Sequence, residues 1–338
     1  MRAWLPIVLA AATAAWLPAA PAAAWGGSGH EFVTGIAGEL FPEEIPAFLR
    51  TPDAVQILGF YALEPDRNKH TSESAESELG AAHYVLLSDD KMVGGILPFA
   101  DLPQTREAYA ARLQEGGSSQ YKAGYLPYVM ITGWHQLVKD LAFWRAASVA
   151  ANNAAEADDR VWFDRNRRYR ELLILRDLGI WSHFTGDASM PLHTSVHFHG
   201  WGSYPNPLGF SRNDDIDVYI KGLFVRRHVT RDAVKRATPG YAACDCSVRD
   251  RTMRLILQSN GLVTPMYDLQ RRGGFRDATP EAVDMVTIQL ARGAAAVRDM
   301  VVDAWRASTD EAVGTPAVSL RDVLSGKQIL RPDQFRPE

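Results

Sequence analysis

Val283, Val286, Leu290, Ala294, Val297 and Val301 recur every three or four residues near the C-terminus. That is the period of one face of an α-helix, kept over about five turns. Such a stripe is stable only when packed, so the chain must supply other helices to cover it. The residues before it do so. Residues 28–40 read as a helix stopped by Pro42, and Thr51, Pro52 and Asp53 open another with proline at the first helical position. That second helix runs through Val55, Leu58, Tyr61 and Ala62, and Pro65 is expected to end it just before Asp66. Residues 105–114 and 128–151 follow. Residues 168–187 form a long helix whose Leu172, Leu175, Leu178 and Trp181 are expected to face inward.

Strand signals are scarce, because the β-branched residues near Met130 and Val225 sit inside better helical patterns. Residues 199–217 contain Gly200, Gly202, Pro205, Pro207 and Gly209 and read as a long loop, a kind of segment that is usually functional in a compact domain. The expected fold is all-α, a single multi-helix domain over 25–310, with a peripheral tail at 311–338 that carries Pro316, Pro332 and Pro337.

Residues 1–24 have the layout of a secretory signal: Arg2, an apolar stretch from Ala3 to Leu17, then Pro18 and small residues ending in Ala22, Ala23 and Ala24. The apolar run is too short, and broken by Pro6, for a membrane anchor. Cleavage after Ala24 makes Trp25 the new amino terminus and sends the chain to the periplasm or outside the cell, with no anchor left after processing. The net charge of −4 disfavours a protein that grips nucleic acid with basic side chains alone, so phosphate binding here calls for a local source of positive charge such as a metal. The two cysteines, Cys244 and Cys246, stand one residue apart and make no disulfide scaffold; free thiols or a labile bond are expected.

The chemistry-bearing residues cluster by type. His183 and Asp187 lie four residues apart on a helix and point the same way, each with a lone pair to offer one ion, and Pro191 turns the chain so that His193 can return to the same cavity. A core histidine and a helix-capping acid are the plainer reading of the same residues. His30 follows five residues after the new terminus, whose free α-amine is a zinc ligand when neutral. Asp66 closes the second helix, and His83 adds another imidazole. Each alone is more often structural; together they form the nitrogen and oxygen donor mixture that suits zinc.

In this order and at these steps, Trp25-x4-His30, Asp66, His83 and His183-x3-Asp187-x5-His193 resemble the zinc-dependent phospholipase C and single-strand-specific nuclease superfamily, in particular its bacterial nuclease-like branch. The likeness runs from Trp25 to about Lys221. It implies an all-α fold with three zinc ions at the bottom of a cleft, hydrolysing phosphate esters. Asp66, His83, His183 and Asp187 would hold one zinc, with Asp66 also orienting the reacting water and Asp187 bridging to a second ion. The Trp25 amine and carbonyl with His30 would complete that second site, and His193 would start a third. Two close zinc ions lower the pKa of a shared water and neutralise phosphate oxygens, so no nucleophilic side chain is needed.

The third site departs from the family pattern, a His-x3-Asp or His-x3-Glu pair. Asp217 stands where the histidine is expected, and Lys221 stands where the carboxylate is expected and cannot ligate while charged. His228 and Asp232 offer a literal His-x3-Asp farther along, and an incomplete site is the third possibility. Two tight zinc ions are expected, with a third weak or absent. Lys221 can replace the missing charge and meet a phosphate oxygen, or be a solvated lysine. His197 and His199 are substrate-side groups, spare ligands or loop residues; His70 and His135 have no assigned role, His135 lying within a helix.

Tyr84 follows His83 where the nuclease branch carries a base-stacking aromatic. Phospholipase members use aromatics for a choline cation, and Leu86 replaces a base-reading aspartate, so the substrate stays open. Single-stranded nucleic acid or another phosphodiester is the expected partner, with no stable protein partner inferred. A phospholipase C on phospholipid head groups, or a family member that binds metal or phosphate without efficient turnover, are the alternatives.

Overall fold

Prolines and hydroxyl side chains set where the helices begin. The computed structural model describes residues 25–69, 71–213 and 216–335; the expected leader, 1–24, and His70 lie outside the described residues. In chain order the helices are α1 (Gly26–Glu39), α2 (Pro52–Tyr61), α3 (Glu64–Asn68), α4 (Glu73–Gly80), α5 (Arg106–Glu115), α6 (Gln120–Ala123), α7 (Leu126–Asn153) and α8 (Ala157–Asp187). Then follow α9 (Ile216–Tyr219), a π-helical turn at Ile220–Phe224, α10 (Val225–His228), α11 (Arg231–Ala237), α12 (Val248–Asn260), α13 (Val263–Arg271), α14 (Pro280–Ala307) and α15 (Leu320–Leu324). Thr51 caps α2 by accepting from the Ala54 amide, Thr105 caps α5 through Ala108, and Ser247 and Asp250 form a reciprocal capping box on α12.

The chain is 66% helical, and its only sheets among the described residues are two short antiparallel pairs, Met92–Val93 with Leu97–Pro98 and Ala312–Val313 with Val318–Ser319. It is a single all-α domain. Helices α1, α2, α7, α8 and α14 pack on one another around the main core. As its period requires, α14 buries Val286, Leu290, Ala294, Val297 and Val301. Among the described residues, no helix is long and apolar enough to cross a membrane.

Three local expectations are corrected. Helix α8 starts at Ala157, well before residue 168, because its first half is a surface helix held by Arg167 to Asp164 and Glu171 rather than by an apolar stripe. For the same reason Leu172 is 65% exposed, and the inner face begins with Ile174, Leu175, Leu178 and Trp181. Helix α2 ends at Tyr61 and is not ended by Pro65 or closed by Asp66; Pro65 sits in the first turn of α3, where its missing N–H is not needed, and α3 carries Asp66. The contact that sets the α8 site is glycine-dependent: a Cβ on Gly179 would lie 2.5 Å from Tyr61 Cβ and 3.0 Å from the Leu58 carbonyl, so only glycine lets α2 lie this close.

At the end of α7 and the start of α8, Val313, Leu320, Val323, Leu330 and Phe335 pack with Ala142, Ala146 and Phe163 into a second, smaller core. The C-terminal tail is therefore built into the fold. Cys244 and Cys246 are joined as a disulfide, so neither is the free thiol that their spacing left open.

Candidate metal centre

The last turn of α8 carries His183 and Asp187 into the core, and each neighbouring element adds one more donor. Helix α1 brings His30, α3 brings Asp66, the turn Ala81–His83 brings His83, and the turn Pro191–Thr194 brings His193. A short backbone pairing sets the last two in register: the Val85 amide donates to the His193 carbonyl at 3.0 Å, and the Leu87 amide to Thr194. The scarcity of strand signal hid this pairing, since it spans too few residues to show an alternation.

Two overlapping sets of donor atoms result: His30, His183 and Asp187 in one, Asp66, His83 and His183 in the other, each set mutually within 4.8 Å. Asp187 spans them. Its Oδ2 lies 3.0 Å from His83 Nδ1 and 3.4 Å from His183 Nε2, while its Oδ1 lies 3.5 Å from both His30 Nε2 and His193 Nδ1. Asp66 Oδ1 is 3.9 Å from both His83 Nδ1 and His183 Nε2.

The imidazoles are oriented from behind. His183 Nδ1 donates to the Ala62 carbonyl at 2.6 Å, and His193 Nδ1 donates to the His83 carbonyl at 2.9 Å. A carbonyl only accepts, so in each neutral ring the lone pair is on Nε2, which in His183 faces Asp66 and Asp187 and in His193 faces Asp217, outside both donor sets. His30 Nδ1 and Nε2, His83 Nε2, Asp187 Oδ1 and Asp217 Oδ1 are buried with no hydrogen-bond partner among the described residues. Leaving that many polar atoms unpaired in a protein interior is costly. An ion among them removes the cost, and the imidazole and carboxylate donors are those a borderline divalent metal takes. These buried groups can hold a metal ion.

Charge follows the same geometry. Burial holds His30 well below its ordinary pKa, helped by the neighbouring His183. Burial likewise lowers His83 from 6.5 to about 4, against the opposing pull of Asp187. Burial works against charge on His183 too, but Asp187 and Asp66 outweigh it and raise its pKa. Burial would raise the carboxyl of Asp187, yet His183 and His83 hold it well below the usual range; His183 and Lys69 do the same for Asp66.

A pH dependence follows for the metal-stripped protein. His30 and His83 bind protons near pH 6.5 when unfolded and resist them when folded, so their contribution is present above 6.5 and lost as pH falls from there toward 4. His183 acts oppositely, but only above 6.5, where the stability from its raised pKa fades as pH climbs through the folded value. Stripped protein should therefore melt at a steeply lower temperature at pH 4.5 than at pH 6.5, with His83 alone worth on the order of 3 kcal/mol by pH 4. A flat melting temperature across that window, followed by calorimetry, would contradict buried neutral imidazoles.

The remaining expected residues fall around this centre. The buried Trp25 precedes α1, and its indole donates to the Gly186 carbonyl at 3.0 Å and to Ser189 Oγ at 2.9 Å, beside Asp187. Gly26, at φ +64°, lies so close to Lys221 that a Cβ would stand 2.6 Å from its carbonyl oxygen. Asp217 and Lys221 are buried together: Lys221 Nζ lies 2.5 Å from Asp217 Oδ2, while His193 Nε2 is 3.7 Å from Asp217 Oδ1. His228 and Asp232 take no part in either donor set; His228 is exposed with its ring against Phe224. Tyr84 stacks with Phe198 at 6.0 Å, and its hydroxyl donates to the Tyr121 carbonyl.

His197 is buried, stacked on Trp201 and 3.1 Å from Asp89, whereas His199 is exposed beside Phe198. His135 lies in α7 with its ring edge-on to Trp134. Sequence reasoning missed Lys69, buried and 2.7 Å from Asp66 Oδ1; its place three residues after Asp66, just past the end of α3, was the available signal. No protein-family model matches this chain and no curated protein matches it, so the functional reading rests on the residues of this centre.

Proposed function

We propose that this chain is a zinc-dependent phosphodiester hydrolase of the phospholipase C and single-strand-specific nuclease type, exported by its leader and acting on single-stranded nucleic acid or another phosphodiester. The observation that carries this reading is Asp187, a fully buried carboxylate whose two oxygens face two different groups of imidazoles. Asp66, His83, His183 and Asp187 would hold one zinc, and Asp187 and His30, with the Trp25 amine freed by processing, a second. Bound there, zinc supplies Lewis acidity toward phosphate oxygens and an acidified water.

The chain's own groups do the positioning. Ala62 and His83 fix two rings through their backbone carbonyls. Lys69 holds one oxygen of Asp66. Lys221 occupies the place of the third site's carboxylate and meets Asp217 instead, an ammonium buried where a phosphate or leaving oxygen needs positive charge. Tyr84, the residue after His83, stacks its ring with Phe198, and this aromatic pair favours a base over a small head group.

The test is parallel turnover by the zinc-loaded, processed protein. An aryl phosphodiester and single-stranded DNA are expected to be hydrolysed, the DNA at least tenfold faster than phosphatidylcholine. Faster phosphatidylcholine hydrolysis would move the assignment to the phospholipase branch, and no turnover of any of the three would leave a binding protein.

Processing enters the same reading. One extra residue before Trp25 turns its amine into an amide nitrogen with no lone pair to give, so such a chain should lose one zinc and most of its activity. Equal zinc content with and without the extension would remove Trp25 from the ligand set.

A further inference from the structure

A cavity of about 1190 Å³ shares no lining residue with the histidine cluster, and its wall carries a second reactive group. Cys244 and Cys246 line it as a disulfide with only Asp245 between them, both partly exposed. A bridge between residues this close in sequence closes a very short loop and removes little freedom from the unfolded chain, so stability gives it no strong role.

Its surroundings favour the reduced form's anion. Arg254 places Nη2 at 2.5 Å from Cys244 Sγ and in contact with Cys246 Sγ. Cys246 directly precedes Ser247, the cap of the thirteen-residue α12, so it stands at the positive end of that helix. A neutral disulfide gains little from a guanidinium and a helix end; a thiolate gains from both. Nearby, the half-buried rings of Trp134 and Tyr241 share the cavity wall with Arg106, Arg249, Arg251, Arg306 and Asp303, and this mixture of rings and charges of both signs, spread over a space of this size, suits the side chains and backbone of a polypeptide better than one small thiol.

We infer that Cys244 and Cys246 form a thiol–disulfide exchange site that oxidises a dithiol on an extended polypeptide seated in this cavity. One thiolate of the substrate attacks Cys244 Sγ. The bond between the two cysteines breaks, and its electron pair leaves on Cys246 Sγ, the sulfur at the helix end beside Arg254. The second substrate thiol, its proton lost to solvent, then attacks the substrate sulfur of the mixed disulfide, and Cys244 leaves as a thiolate. Two electrons have passed from the substrate, now a disulfide, to the two cysteines. A small-molecule disulfide such as oxidised glutathione resets the site by the reverse exchange.

The test mixes the intact oxidised chain with a peptide carrying two cysteines and, separately, with reduced glutathione, then quenches in acid and alkylates free thiols. One equivalent of peptide disulfide per chain is expected, formed at least tenfold faster than glutathione reduces the bridge. Arg254→Gln should slow the reaction at least tenfold and Arg254→Lys should restore most of the rate, a pattern that loss of folding does not give. Cys246→Ser, exposed to the oxidised peptide, should trap a mixed disulfide on Cys244. A bridge that survives excess peptide dithiol, an equal rate with glutathione, or an Arg254→Gln protein that reacts like the parent would each overturn the assignment.

Discussion

Asp187→Asn is expected to loosen both halves of the metal centre at once. The carboxamide keeps the shape but not the charge, and its two ends can no longer both accept from, or share cations with, the imidazoles now 3.0 to 3.5 Å away. Loss of groups that merely orient metal ligands costs about 10- to 100-fold in affinity or activity, and a ligand common to two ions should cost at least as much. The variant should surrender zinc to a chelator that leaves the parent loaded, and phosphodiester hydrolysis should fall at least 100-fold. Far-UV circular dichroism near the parent's would tie the loss to the centre. A variant with full zinc and full rate would reduce His183 and Asp187 to ordinary core residues.

The second large effect is a gain. Asp217 has one buried oxygen facing His193 and the other held by Lys221, so the position has two possible ligands and a competing ammonium. Changing Asp217→His and Lys221→Glu together replaces that pair with an imidazole and a carboxylate four residues apart on one helical segment. The double variant should retain one more zinc through dialysis than the parent. Hydrolysis of esters with poor leaving groups should rise about tenfold or more, because a departing oxygen with a high pKa needs the added cation most. Esters with good leaving groups should change little. An unaltered zinc count would mean that Lys221 does not stand in for a metal, and a parent already holding three tight ions would redirect the search to other ligands.

Much of this was legible because helices announce themselves by period. The face of α14, the proline at the start of α2, and the His183 and Asp187 step all follow from one helical repeat, which also brings two donors to the same side. What failed to show was set by contacts between distant segments. The outer half of α8 is charged and ion-paired, so its apolar pattern is silent. The pairing of residues 85–87 with 193–196 joins parts of the chain more than a hundred residues apart through backbone groups that carry no sequence signature. The burial of Lys69 and Lys221 is a tertiary outcome, since both residue types are usually exposed. Pro65 misled because proline ends a helix and also begins one, and only the packing of α3 decides which.

The central claim is that the buried cluster holds a pair of zinc ions joined through Asp187. Elemental analysis of the processed chain after exhaustive dialysis tests it most directly, with Asp187→Asn as the matched sample. Two zinc ions per parent chain and fewer than one per variant chain are the expected values. A parent that emerges without metal, or a variant that keeps both ions, would contradict the claim.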